Sequence, residues 1–338
     1  MTGTRAASTV DSSGRDGRDG IGRLVADGLL RRRELSIALV TIVLALYFAL
    51  TTNGFADSSN YHIIAQYFAP WAIIAAGEVM LLICGEIDLS AGYMFTLAPF
   101  VLAVFVNNGA PLIVALAGAL IVCACVGVAN GLIVTVLKMP SFITTLGMFF
   151  LLWGVALLLS GGSPVHAPER GALVAVLGGW QWAELCWAIG IVVVMQVVLS
   201  GTRFGVYTFA VGGNPTAASE AGIRTRRIKT ACFALTSVLA GFAGILDGIR
   251  VGSFDPTNGG ANYMFLAVAS AVIGGTALLG GSGTVVGALI GAIALGIVHE
   301  GFTLAGINAN AFNAVLGIAV LAAMMLNIYL GRFSRAGT

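Results

Sequence analysis

Charge is the scarcest commodity in this sequence. Only 9% of its 338 residues are Asp, Glu, Lys or Arg, and just two lysines occur, Lys138 and Lys229. Lys229 follows Ile228, so neither lysine ends a GxxxxGK[ST] phosphate loop, and no ATP site is encoded. GxSxG elbows and HExxH pairs are also missing, which removes the common hydrolase and metalloprotease constellations. With three histidines and no CxxC among the five cysteines, metal and thiol-redox centres are not expected. Cys84, Cys123, Cys125, Cys186 and Cys232 all lie in apolar stretches and read as small buried hydrophobes. The start of the chain has no apolar signal-peptide core. A low charge without basic clusters beyond short loops gives no footprint for nucleic acid.

What is present in quantity is hydrocarbon. Apolar residues make up 58% of the chain, in runs near the ~20 residues that cross a bilayer. Backbone polar groups in lipid must be satisfied within the segment, so the expected class is an all-α integral membrane protein. About ten transmembrane helices are expected, over 35–52, 62–84, 89–107, 111–137, 141–160, 179–200, 228–250, 261–280, 284–304 and 310–330. The transmembrane domain is thus 35–330, between a polar, disordered tail at 1–34 and a short tail at 331–338. With both termini cytoplasmic, all of the 17 Lys and Arg except Arg170 and Arg250 fall on the inner side. Gly127/Gly131, Gly244/Gly248, Gly283/Gly287 and Gly287/Gly291 have the small-xxx-small spacing that lets helices approach closely.

Acids inside such helices are functional candidates by default, because insertion at the centre costs about 2.5–3.5 kcal/mol. Glu78 is open to two readings, a satisfied interhelical bond or a lining role. Asp88 is read as a helix cap or as a path or gate residue, with Ser90 as the alternative cap. Asp247 and Arg250, three apart, are read as an ion pair on one helix face. His299, Glu300, Asp255 and Asn258 stay ambiguous between solvated, docking and lining roles. Trp71, Trp180, Trp182 and Trp187 are read mainly as interface anchors, with sugar stacking as the alternative.

The loop 201–229 differs from the others. Gly212-Gly213-Asn214-Pro215 signals a turn, Thr216 is expected to cap a short helix through Glu220, and Gly222 to end it. An exposed helix of small residues suits docking to another protein; a basic loop held by anionic lipid is the plainer alternative.

Four segments carry a resemblance: GEIDLSAG at 85–92, NGLIVTVLKMPSFITTLG at 130–147, VGGNPTAASEAGI at 211–223 and AVIGGTALLGGSGTVVGALIGA at 271–292. In this order they are similar to the membrane permeases of ribose- and other monosaccharide-type ABC importers, in the branched-chain amino acid/ribose permease superfamily. The resemblance implies ABC-importer permease architecture in a bacterial cytoplasmic (inner) membrane, and alternating access rather than covalent chemistry. It implies a second, identical or paralogous permease, an extracytoplasmic solute-binding protein, and a separate ATPase subunit that holds ATP and Mg. No cofactor is expected on this chain. The segment with Gly212, Gly213, Asn214, Ala217, Ala218, Glu220 and Gly222 would contact the ATPase. Glu78, Glu86, Asp88, Ser90, Asn130, Thr145 and Asp247 are the path or gate candidates, and the solute implied is a monosaccharide or polyol. Glu86 departs from the family's Gly, Ser282 from its frequent Arg, and Glu300 from its common Asn. The competing class is an ion-coupled secondary transporter using the intramembrane carboxylates.

Overall fold

The computed structural model describes residues 33–336, so the tail expected over 1–34 lies almost wholly outside the described residues. The order is α1 (Arg33–Thr51), α2 (Ser58–Ile83), α3 (Ala91–Asn107), α4 (Leu112–Val136), α5 (Ser141–Ser160), β1 (Val165–His166), α6 (Ala183–Gly201), α7 (Arg203–Gly213), α8 (Pro215–Glu220), α9 (Thr225–Val251), β2 (Ser253–Phe254), α10 (Gly260–Ile273), α11 (Val285–Leu304) and α12 (Ala309–Ala336). A helical turn at 172–179 precedes α6. Each of the ten expected segments contains a helix. Among the described residues seven, α1, α2, α4, α5, α6, α9 and α11, are long and apolar enough to cross a membrane, and α3, α10 and residues Ala311–Met325 of α12 are shorter apolar helices.

Burial divides these helices by position. α2 and α9 are buried along most of their length, whereas no more than about a third of α1, α4, α5 and α6 is buried. The exposed residues are apolar, such as Leu50, Leu137, Leu158 and Val194, which fits an outer surface facing lipid. α9 packs against α2, α3 and α4, and α11 against α1, α2 and α10. The small-xxx-small glycines make these approaches inside the chain. A Cβ on Gly127 would stand 2.5 Å from the Phe233 carbonyl oxygen, and one on Gly244 would stand 1.9 Å from that of Phe95. Gly287 and Gly291 press α11 against Gly274 and Ser270 in the same way. β1 and β2 pair antiparallel, Val165 opposite Phe254, and tie the segment after α5 to the end of α9.

Several boundaries differ from expectation. The helix expected to reach 280 stops at Ile273, because Gly274-Gly275 breaks it and Gly275 adopts φ +90°. Residues 274–284 form a loop instead. The loop 201–229 contains a further helix, α7, and the cap of α8 is Asn214 rather than Thr216: its side-chain oxygen accepts from the amides of Thr216 (3.1 Å) and Ala217 (3.0 Å). α12 continues to Ala336, past the expected end at 330, since no proline or turn dipeptide interrupts it. Cys84, Cys123 and Cys232 are buried as expected, but Cys125 and Cys186 are exposed on outward faces of α4 and α6.

Candidate functional site

The four singled-out segments fold into one continuous structure. Its centre is the break between α2 and α3, residues 84–90, where Asp88 is fully buried. Asp88 Oδ1 accepts from the Ser90 amide (2.9 Å), the Ser90 hydroxyl (2.5 Å) and Asn130 Nδ2 on α4 (3.5 Å). Its Oδ2 accepts from the Ser237 hydroxyl on α9 (3.5 Å), and Asn130 Nδ2 also donates to Ser90 Oγ (2.9 Å). On the other side, Thr145 Oγ1 of α5 accepts from the Leu89 amide (3.1 Å) and donates to the Ser141 carbonyl (2.8 Å). Side chains from α4, α5 and α9 thus converge on one broken backbone. Neither Asp88 nor Ser90 uses its side chain to cap the amides of α3. Asp88 closes a local turn on Ser90 and serves as an interhelical acceptor, which corrects the capping expectation. In hydrocarbon each donor must find such a partner.

Ser90→Ala tests this arrangement. It removes one donor to Asp88 and the nearer acceptor of Asn130, and is expected to cost about 1–3 kcal/mol, read as a lower unfolding midpoint in detergent. An unchanged midpoint would mean that the buried network adds nothing.

Of the path or gate candidates, Asp88, Ser90, Asn130 and Thr145 meet at this knot, sealed from solvent. Glu78, on α2, is also fully buried, and its two oxygens have no hydrogen-bond partner among the described residues. Glu86 sits at the margin and pairs with Lys229 Nζ at the start of α9 (2.5 Å). Asp247 is not part of the knot. It lies at the opposite end of α9, where Arg250 bonds it and also Glu184 Oε2 of α6 (2.8 Å), and where Asn258 Nδ2 donates to its Oδ2 (2.7 Å). Aromatic rings gather at that same end: Tyr67 and His299 are 4.3 Å apart, and Trp71 lies 6.4 Å from Tyr263.

α8 is fastened directly below the knot. Gly212 at the end of α7 packs so closely that a Cβ would stand 1.6 Å from the Ile83 carbonyl oxygen. That same oxygen accepts from the Gly281 amide (2.9 Å), so the foot of α2, the end of α7 and the 274–284 loop meet at one point. The loop is held in turn by α6, whose Gln196 Oε1 accepts from the amides of Val285 (2.9 Å) and Val286 (3.2 Å) at the start of α11. α8 ends as expected at Gly222: with φ +84°, its amide bonds Ser219 O and that of Ile223 bonds Ala218 O, a Schellman closure. Gly213, Asn214, Ala217, Glu220 and Gly222 are exposed. Ala218 is not: it is 5% exposed and turned into the core with Ile223 packed nearby, so it secures the helix rather than forming its outer face.

Sequence reasoning missed Ser237, Glu184, Gln196 and the partnership of Lys229. The available signals were a Thr236-Ser237 pair within an apolar helix and an acid opening the sixth span.

Comparison with known proteins identifies the family. A family model described as branched-chain amino acid transport system / permease component matches residues 60–324. The chain is 37% identical over 316 residues to the xylose/arabinose import permease protein of Sulfolobus acidocaldarius, covering 90% of this chain and 88% of that one. It is 34% identical over 300 residues to the ribose import permease protein of Escherichia coli K12, covering 87% and 93%. A probable ABC transporter permease protein of Sinorhizobium fredii is 32% identical over 312 residues, covering 90% and 91%. No solved structure matches the chain.

Proposed function

The chain belongs to the branched-chain amino acid transport system / permease component family, and from that premise we propose that it is the membrane permease of an ABC importer for a monosaccharide, a pentose first among the candidates. The relatives named for xylose, arabinose and ribose import support the solute class. The observation that carries the mechanism is the junction at the Ile83 carbonyl, where α7, the foot of α2 and the 274–284 loop are locked together. A push on the exposed face of α8 passes through Gly212 into the α2–α3 break, and from there to α4, α5 and α9 through Asp88, Asn130, Thr145 and Ser237. This is the linkage that alternating access driven by an external ATPase requires.

In this reading the chain crosses a bacterial inner membrane ten times, with both termini in the cytoplasm. The basic residues around α8 then face the cytoplasm, as the positive-inside tendency favours. ATP and Mg belong to the ATPase subunit, solute is delivered by an extracytoplasmic binding protein, and a second permease completes the path. The buried, unbonded Glu78 is the observation that favours ion-coupled transport instead. The two classes separate in proteoliposomes. Uptake of labelled pentose is expected only when an ATPase subunit, the binding protein and ATP are all supplied. Uptake by the chain alone, driven by a pH gradient, would overturn the proposal.

Because Ala218 is buried, the surface test belongs at Ala217. Ala217→Arg is expected to leave insertion and unfolding midpoint unchanged while reducing ATP-driven uptake and ATPase co-purification at least about tenfold, a loss typical of a disrupted central interface contact. Normal uptake by this variant would remove α8 as the coupling element.

A further inference from the structure

Beside α8 lies an open cavity of about 390 Å³ that the transport reading does not use. Its walls include Lys138, Arg226 and Lys229, with Glu86 the only acid among the lining residues. Lys229 is engaged by Glu86. Lys138 and Arg226 have no ion-pair partner among the described residues. Lys138 is also the one non-glycine with positive φ among them, at +56°. A glycine would adopt that backbone without the penalty of a Cβ, whereas the lysine brings an ammonium to the cavity.

Two further features favour an anion. Ser141 and Thr225, the first residues of α5 and α9, both line the cavity, and neither helix has a side-chain cap. The uncapped start of α5 adds positive potential to that of the cations, whereas at α9 the Thr225 amide is already bonded to the Ile223 carbonyl (2.9 Å). The surroundings then identify the kind of anion. Leu137, Met139, Phe142 and Ile143, in the turn between α4 and α5 and the first residues of α5, are exposed large hydrophobics, 65%, 41%, 56% and 56% accessible. Met139 lines the cavity itself and the other three flank its lining residues 138–141 in sequence, an apolar rim for which a soluble anion would have no use. A phospholipid places its phosphate among cations and lays its acyl chains along just such residues.

We propose that this cavity binds the phosphate of an anionic phospholipid, with Lys138 and Arg226 as its ligands and the Leu137–Ile143 rim against the acyl chains. Pro215 and Glu86 share the wall, so the lipid contacts both the start of α8 and the margin of the α2–α3 break. Lipid occupancy thereby adjoins the two elements on which coupling depends. Assignment to the cytoplasmic leaflet rests on the orientation proposed above; the binding itself does not.

The test is native mass spectrometry of the full chain in detergent, titrated with phosphatidylglycerol, phosphatidylcholine or glycerol 3-phosphate. One tightly held phosphatidylglycerol is expected, with phosphatidylcholine and glycerol 3-phosphate each at least about tenfold weaker. Lys138→Gln with Arg226→Gln should weaken the phosphatidylglycerol adduct roughly 30-fold, while Lys138→Arg with Arg226→Lys should retain it. Both positions are exposed, so the unfolding midpoint should not move. Equal binding of the two lipids, or full binding by the neutral double variant, overturns the proposal. Glycerol 3-phosphate binding as tightly as the lipid would make this a site for a soluble phosphate and overturn it too. So would a neutral variant that keeps its lipid but loses ATPase co-purification, since the cavity would then be a protein-docking face. None of these measurements requires solute, so a failure here leaves the transport reading standing.

Discussion

Replacing Arg250 with leucine is expected to destabilise the protein by about 3–5 kcal/mol, the cost of stranding buried charge. Arg250 is the cation that bonds both Asp247 and Glu184, whose side chains are only 1% and 3% exposed. Asn258 supplies Asp247 with a further donor, but an amide cannot neutralise a carboxylate. The leucine variant leaves two acids facing one another between α6 and α9, and the protein must protonate them, hydrate them or part the helices. Unfolding can be followed by the intrinsic fluorescence of the five tryptophans. Arg250→Lys should recover only part of the loss, because a single ammonium does not reproduce the planar fork that reaches two carboxylates. The decisive variant is the triple one, Arg250→Leu with Glu184→Gln and Asp247→Asn. Removing all the charge together should restore most of the stability, since the penalty belongs to the uncompensated acids. A triple variant as unstable as the single one would show that the guanidinium acts through packing instead.

The same cluster marks where sequence reading reaches its limit. Asp247 and Arg250 are three apart on one helix, so their pairing follows from helical spacing alone. Glu184 is 66 residues away, and only the packing of α6 against α9 brings it in. The helices themselves were legible because hydropathy is a property of single segments. Where a segment contained its own breaker, as at Gly274-Gly275, the signal was present and underweighted beside the apolar residues that follow. The polar knot was legible in two separate motifs, one with Asp88 and Ser90 and one with Asn130 and Thr145, and in none for Ser237, but not as one object. Asp88, Asn130, Thr145 and Ser237 lie on four different elements, and their hydrogen bonds exist only once those elements meet. Ala218 illustrates the converse. A small residue on a short helix reads equally well as an exposed contact or as an internal one, and only its burial decides between them.

Gly212→Val is expected to abolish ATP-driven uptake, at least about a hundredfold loss, while the chain still inserts. The argument is steric and then mechanical. With the Ile83 oxygen only 1.6 Å from the position of a Cβ, α7 and the foot of α2 would have to part by roughly 2 Å to restore normal contact. No side-chain rotation can relieve this, because the obstructing atom is backbone. The Gly281 amide is bound to the same oxygen, so moving that carbonyl also releases the 274–284 loop. Overpacking of this kind costs about 1–3 kcal/mol, which a bundle with buried α2 and α9 can absorb. The functional loss is expected to exceed the loss of stability, because α8 stays folded by its own Asn214 cap and Schellman closure while α7, which carries it, is no longer seated on α2. That separation distinguishes Gly212→Val from Ala217→Arg. The surface variant should lose the ATPase, whereas the junction variant should retain a bound ATPase that hydrolyses ATP without moving solute. If Gly212→Val transports normally, force does not pass through the α7–α2 contact. If it loses the ATPase as well, the junction positions α8 for docking rather than transmitting its movement.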